Sequence, residues 1–469
     1  MNRAPALATL SLLAFCGCAT MAPDYERPAL PVPGAWPSGE AYLSAGSTEG
    51  AASAPGLPWG DYFANESLRK VIALALSNNR DLKVAALAVE RSQALYGISR
   101  ADLFPQVDAT GGGIAARTPG TLTNNGQPVT FRQYDVGLAV AGYELDLFGR
   151  VRSLKDRALA AYLATDQARR SVQVGLVSEV AGRWFALAAD RERLGLARET
   201  LAVQEKSYEL TKRRFEGGVS SELDLRQAQT SVDAARVDIA RYTALAAQDR
   251  NALDLLAGAP VPEDLLPAEL DAVTAMKELS AGLPSEVLMR RPDIVEAEES
   301  LKSANANIGA ARAAFFPRIT LTTSFGLASD ELGDLFRGAA RTWSFAPRIS
   351  VPIFDGGANR ANLKVARADR DIAVARYEKA VQAAFRDVAD ALAQRGTLGD
   401  QLSAQQSLVD AATVTRKLSD ARYEKGVDSY LSVLDAQRTL YAARQNLITV
   451  RLALLANRVT LYRALGGGG

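Results

Sequence analysis

The sequence predicts an α+β membrane protein made of two copies of one unit, each copy a helix, a pair of membrane-length strands and two long helices. Three observations predict it: a motif repeat at an offset near 210 residues, four strand-like stretches about 10 to 15 residues long, and proline-free tracts that overshoot any compact helical body.

The chain opens with a secretory pattern over residues 1–17. Arg3 gives a positive start, Leu7 to Phe15 an apolar run, and small Gly17 precedes Cys18. Cleavage there leaves Cys18 as the new N-terminus. Residues 18–60 then read as an extended segment, with prolines at 23, 28, 31, 33, 37, 55 and 58 and with Trp36 and Tyr42 as docking points.

The first repeat covers 61–259 and the second 284–469, joined by a Pro-rich linker at 260–283. ISRADLFPQVDATGGG from Ile98 is echoed by GAARAAFFPRITLTTSFG from Gly309, so that Pro105 matches Pro317. RRFEGGVSSELDLRQAQ from Arg213 is echoed by DARYEKGVDSYLSVLDAQ from Asp420, which aligns Phe215 with Tyr423 and Gly218 with Gly426.

Each repeat begins with a helix, about Leu68 to Leu103 and about Pro284 to Phe315, and each ends at an aromatic followed by proline. Strand character comes next, at about Gln106–Ala116, Gln133–Leu147, Arg318–Ala328 and Trp343–Val351, where apolar residues alternate with small or polar ones. The chain then turns helical from Val151 to about Phe215, roughly 95 Å at 1.5 Å per residue. Gly217–Gly218 and Lys425–Gly426 break the long helices, and return helices run from about Ser221 to Leu256 and from about Ser429 to Leu465.

Composition excludes several classes of function. There is no histidine and no disulfide partner for the chain body, since Cys16 and Cys18 are the only cysteines. No phosphate-cradling loop or metal-ligand cluster is apparent, so neither an enzyme nor a cofactor is expected. With 54 basic and 53 acidic residues interspersed, the chain lacks the clustered basic face that nucleic acid requires. After the signal no apolar run spans a bilayer as a helix, so any crossing uses strands. Four strands per chain cannot sit in lipid with unpaired edges; two chains would close an eight-stranded filled barrel, three a twelve-stranded barrel with a lumen.

These residues resemble the TolC-like outer-membrane factors, and within them the lipoprotein efflux subgroup. CATMAPDYERP from Cys18, YELDLFGR from Tyr143, GLPSEVLMRRPDI from Gly282, FFPRI from Phe315 and YEKGVDSYLSVLDAQ from Tyr423 carry the likeness. It implies lipidation of Cys18, a homotrimer with a 12-stranded outer-membrane β-barrel, and a long periplasmic α-helical barrel. It also implies a periplasmic adaptor and an inner-membrane transporter of the RND type as partners. The family's periplasmic gate falls here on Asp435, on Ser432 where an Asp is lost, and on Tyr423, Asp428 and Asp224 as positions that link protomers. The adaptor would dock on the tips Gly217, Gly218 and Val219 and Lys425, Gly426 and Val427. A channel for type I protein secretion and a non-conducting envelope lipoprotein are the alternatives.

Overall fold

The computed structural model describes residues 20–42, 52–53, 57–270, 276–280 and 288–467. The signal and Cys18 lie outside the described residues. In chain order the elements are β1 (Ala52–Ser53), α1 (Trp59–Tyr62), α2 (Glu66–Asn78), α3 (Arg80–Ala101), β2 (Asp108–Thr118), β3 (Val129–Leu145), α4 (Arg150–Glu216) and α5 (Glu222–Ala257). The second half continues with β4 (Leu279–Ser280), α6 (Pro292–Ala313), β5 (Arg318–Ser329), β6 (Arg341–Ser350), α7 (Ala358–Glu424) and α8 (Tyr430–Ala464). The two longest helices, one per repeat, are both 67 residues long.

The single first helix expected from Leu68 to Leu103 is in fact two, broken at Asn79. Its side chain accepts from the Leu82 amide at 2.9 Å, capping α3, while its amide group donates to the Leu256 carbonyl at 2.9 Å. An asparagine that can cap while donating elsewhere favours a helix start over a helix interior.

One compact unit gathers the described residues up to Pro28 with Ala88–Thr165 and Glu296–Tyr377. It holds an antiparallel sheet in the order β2-β3-β5-β6, so the strand pairs of the two repeats join in the middle, at β3 and β5. Gly137 faces Gly326 across that join. A Cβ on Gly137 would stand 2.6 Å from the Phe325 carbonyl oxygen, and one on Gly326 2.3 Å from that of Val136, so the close approach admits only glycine. A bulge between Val140 and Tyr143, with Gly142 at φ 76°, keeps the side-chain alternation in step past the join.

The register sorts the sheet into two faces. Leu145, Tyr143, Val140, Leu138 and Val136 of β3 share a face with Ile319, Leu321, Thr323, Phe325 and Leu327 of β5 and with Ile349, Phe345 and Trp343 of β6. The opposite face carries Glu144, Asp135 and Gly137 beside Thr320, Thr322, Ser324, Arg348 and Ser344. On that polar face the Ser324 and Ser344 hydroxyls lie 2.7 Å apart.

Also in this unit, the segment after Thr20 straps along α6. Arg312 donates to the Met21 carbonyl at 3.1 Å and Asn305 to that of Pro23 at 2.8 Å. Tyr25 and Arg27 both donate to Glu298, and the Arg27–Glu298 pair closes at 2.9 Å. Gly309 makes room for the strap, since a Cβ there would stand 2.6 Å from the Ala22 nitrogen.

The other unit gathers Ala29–Leu87, Asp166–Val295 and Glu378–Gly469. Its core packs Tyr62, Phe63 and Ile72 with Trp184, Phe185, Leu253 and Tyr462, and the Tyr62 and Tyr462 rings stack at 4.5 Å. Trp36 of the extended segment stacks on Phe385 at 5.0 Å. The Pro-rich linker is packed where it is described: Trp184 donates to the Leu265 carbonyl and Arg191 to that of Pro267.

Candidate functional site at the helical turns and the strand sheet

Each long helix ends in the same way. Gly218, at φ 72°, donates to the Phe215 carbonyl and Val219 to that of Arg214; Gly426, at φ 71°, donates to Tyr423 and Val427 to Arg422. Both are Schellman turns, in which a left-handed glycine lets two amides reach back to the last open carbonyls. Thus Gly217, Gly218, Val219, Lys425, Gly426 and Val427 form two matched reversals, with Val219 and Val427 exposed.

Beyond the reversals the two repeats diverge. In the first repeat the Ser221 hydroxyl accepts from the Asp224 amide at 3.2 Å, and the Asp224 carboxylate accepts from the Ser221 amide at 3.1 Å. This is a reciprocal capping box. The Ser221 hydroxyl bond holds the Asp224 carboxyl below its ordinary range, aided by Ser220 and by Arg214. In the second repeat Ser432 stands where Asp224 stands in the first, and Ser429 makes no side-chain cap bond. The turn there is held instead by Arg422, which grips Asp428 with two bonds, one of them 2.9 Å long, and keeps that carboxyl low.

The two turns are tied side by side through tyrosines. Arg214 donates to the Tyr423 hydroxyl at 2.5 Å and lies 5.0 Å from its ring centre. The Ser207 and Tyr430 hydroxyls are 2.7 Å apart, and Gln204 donates to Gln437 at 3.0 Å. Tyr430, Val433 and Leu434 are buried against Ala228. Asp435 and Ser432 point the other way: both are exposed, on a face of α8 shared with Leu431 and Arg438.

Among the sequence-predicted residues, then, Tyr423, Asp428 and Asp224 each have a partner within the chain, whereas Asp435 and Ser432 occupy one open face. Sequence reasoning missed Arg214, Arg422 and Tyr430. Arg214 and Arg422 occupy matched places one residue before Phe215 and Tyr423, and that coincidence was the available signal.

No helix among the described residues is long and apolar enough to cross a membrane, and no group of three or more metal-type ligands occurs among them. The sheet does have the form of a membrane element: one apolar face, one polar face and two unpaired edges, β2 and β6. Strands of this kind, attached to helices of 67 residues, define a subunit of a channel that other copies complete.

The model of the outer membrane efflux protein family matches residues 71–259 and 283–467, and the chain belongs to that family. It is 49% identical to the toluene efflux pump outer membrane protein TtgC of Pseudomonas putida over 98% of this chain and 95% of that one. It is 42% identical to the outer membrane protein OprJ of Pseudomonas aeruginosa, over 99% and 97% of the two. The crystal structure of the open state of the Neisseria gonorrhoeae MtrE outer membrane channel superposes with a TM-score of 0.86 at 40% identity, covering 96% of this chain and 98% of that one. The protein is an efflux channel subunit of the outer membrane and not an enzyme.

Proposed function

We propose that three copies of the chain close their sheets into one twelve-stranded barrel, whose polar face lines the exit path for small toxic compounds. The observation that carries this reading is the pair of open edges on a sheet with one apolar face: in lipid the unpaired backbone groups of β2 and β6 must find partners, and another copy supplies them. Three copies leave a lumen where two would be filled by side chains. Cargo arrives from an inner-membrane RND transporter through a periplasmic adaptor, which docks on the matched reversals at Gly217–Val219 and Lys425–Val427. Relatives named for toluene and antibiotic efflux support small organic compounds as the cargo class.

Asp435 serves as the gate charge. Three copies of an exposed carboxylate on one open helix face repel one another and draw cations when brought round a narrow aperture. Ser432 lines the same aperture without charge, and Tyr423, Asp428 and Asp224 set the position of the turns that carry it.

Single-channel current in a planar bilayer tests this reading. Wild type should give small cation-selective steps, and Asp435→Ala should give larger or less selective ones. Unchanged steps would remove Asp435 from the gate, and a stable monomer by mass measurement would sink the closed barrel.

A further inference from the structure

Three arginines stand on the otherwise uncharged, apolar face of the sheet. The register places Arg117 opposite Thr130, Arg132 opposite Ala115 and Arg341 opposite Leu327, all on the face of Leu138, Phe325 and Ile349. That face carries no carboxylate in any of the four strands; Asp108, Asp135 and Glu144 all fall on the other. All three arginines are exposed and lie toward the strand ends remote from the helices. In the adjoining β5–β6 loop Arg337 pairs with Asp334 at 2.6 Å, whereas among the described residues no ion pair joins Arg117, Arg132 or Arg341 to Asp330, Glu331 or any other carboxylate.

Depth gives the arrangement its meaning. Tyr134 lies two residues inside Arg132 and Trp343 two residues inside Arg341, on the same face. Tyr and Trp on a lipid-facing strand settle at the membrane–water interface. Two residues of strand span about 6.7 Å along the strand, which sets Arg132 and Arg341 each outside the aromatic of its own strand, toward the headgroup layer. Guanidinium binds phosphate through paired, parallel hydrogen bonds.

We propose that Arg117, Arg132 and Arg341 form a binding site for the phosphate groups of the phosphorylated glycolipid in the outer leaflet. The site rests on the reading of the sheet as a membrane-spanning barrel wall. Arg117 is on one edge strand and Arg341 on the other, so closing the barrel brings Arg117 of one copy and Arg341 of the partner subunit to the same face and the same end. Two unpaired cations at one seam call for a shared anion, which makes each subunit boundary a composite lipid site.

The test titrates purified full-length protein in detergent with bisphosphorylated lipid A, monophosphorylated lipid A and the fully dephosphorylated glycolipid, reading bound lipid by native mass spectrometry. Wild type should bind in that order of strength. Binding of the bisphosphorylated form should weaken at least about tenfold in the R117Q/R132Q/R341Q variant. It should be unchanged in R348Q, whose arginine is on the polar face, and inorganic phosphate at millimolar concentration should not displace it. Equal binding of the three lipids, undiminished binding in the triple variant, or displacement by inorganic phosphate would overturn the proposal. The lipid series on wild type, with R341Q alone, decides the matter should the triple variant fail to assemble. Single-channel current on the same wild-type sample separates the two readings: normal current without lipid selectivity would keep the channel and overturn the lipid site, whereas loss of both would sink the barrel reading itself.

Discussion

At the scale of single residues, the charged side chains near the turns divide into those committed within the chain and those left open. Asp224 is committed: as the third residue of α5 it completes a capping box, so Asp224→Ala should cost about 1 kcal/mol locally and speed hydrogen exchange at the first amides of α5. Its lowered carboxyl makes that contribution present above the ordinary carboxylate range and lost as pH falls through the depressed value. Asp249 has the opposite sign. Burial, and then the nearby Asp190 carboxylate, raise its carboxyl despite Arg183 at 3.7 Å; Arg193 holds Asp190 and also donates to Thr449. The folded state therefore favours protonated Asp249, and stability falls as pH rises from the ordinary aspartate range through the raised value. Asp249→Asn should raise the melting temperature at neutral pH, an advantage that disappears on acidification; thermal scans at pH 4 and pH 8 would check it. The sequence alone marked Asp224 as a candidate but could not show this commitment, because a cap depends on which residue ends one helix and begins the next.

At the scale of elements, the strands were legible in position because alternation has a period of two and turns rich in Gly, Pro and Asn bound each pair. Their register was not legible. It depends on the Gly137–Gly326 contact between the two repeats and on the bulge before Tyr143, neither of which shows in the alternation of a single strand. Gly137→Ala would force a Cβ to 2.6 Å from a backbone oxygen, so a destabilisation of about 1–3 kcal/mol is expected, seen as a lower dissociation temperature of the assembled protein on semi-native gels. The break at Asn79 escaped sequence reading for a similar reason: SNNRD offers cap-type residues but no glycine or proline to mark the stop, and the Leu256 carbonyl that receives the Asn79 side chain is far off in sequence. The long helices were plain from the absence of proline and from their matched glycine turns.

At the scale of the whole molecule, a repeat with a strand pair in each half was enough to point to a channel, since only closure by further copies satisfies strand edges in lipid. The proposed gate residues were less legible: matched motifs located the turns, but which carboxylates remain open depends on pairs such as Arg422 with Asp428. Cys18→Ser should abolish metabolic labelling with palmitate, which would establish the anchor. The strap on α6 bears on the order in which the N-terminal segment and the rest of the chain come together in time. Its partners lie 271 to 291 residues downstream, so a chain emerging from its N-terminus meets Glu298, Asn305 and Arg312 only after more than half of it has appeared. The part of the chain made first is thus among the last to dock. An unstrapped species should accumulate during biogenesis when Arg27 and Glu298 cannot pair, and Arg27→Ala should show it as a protease-sensitive N-terminus on an otherwise membrane-inserted protein.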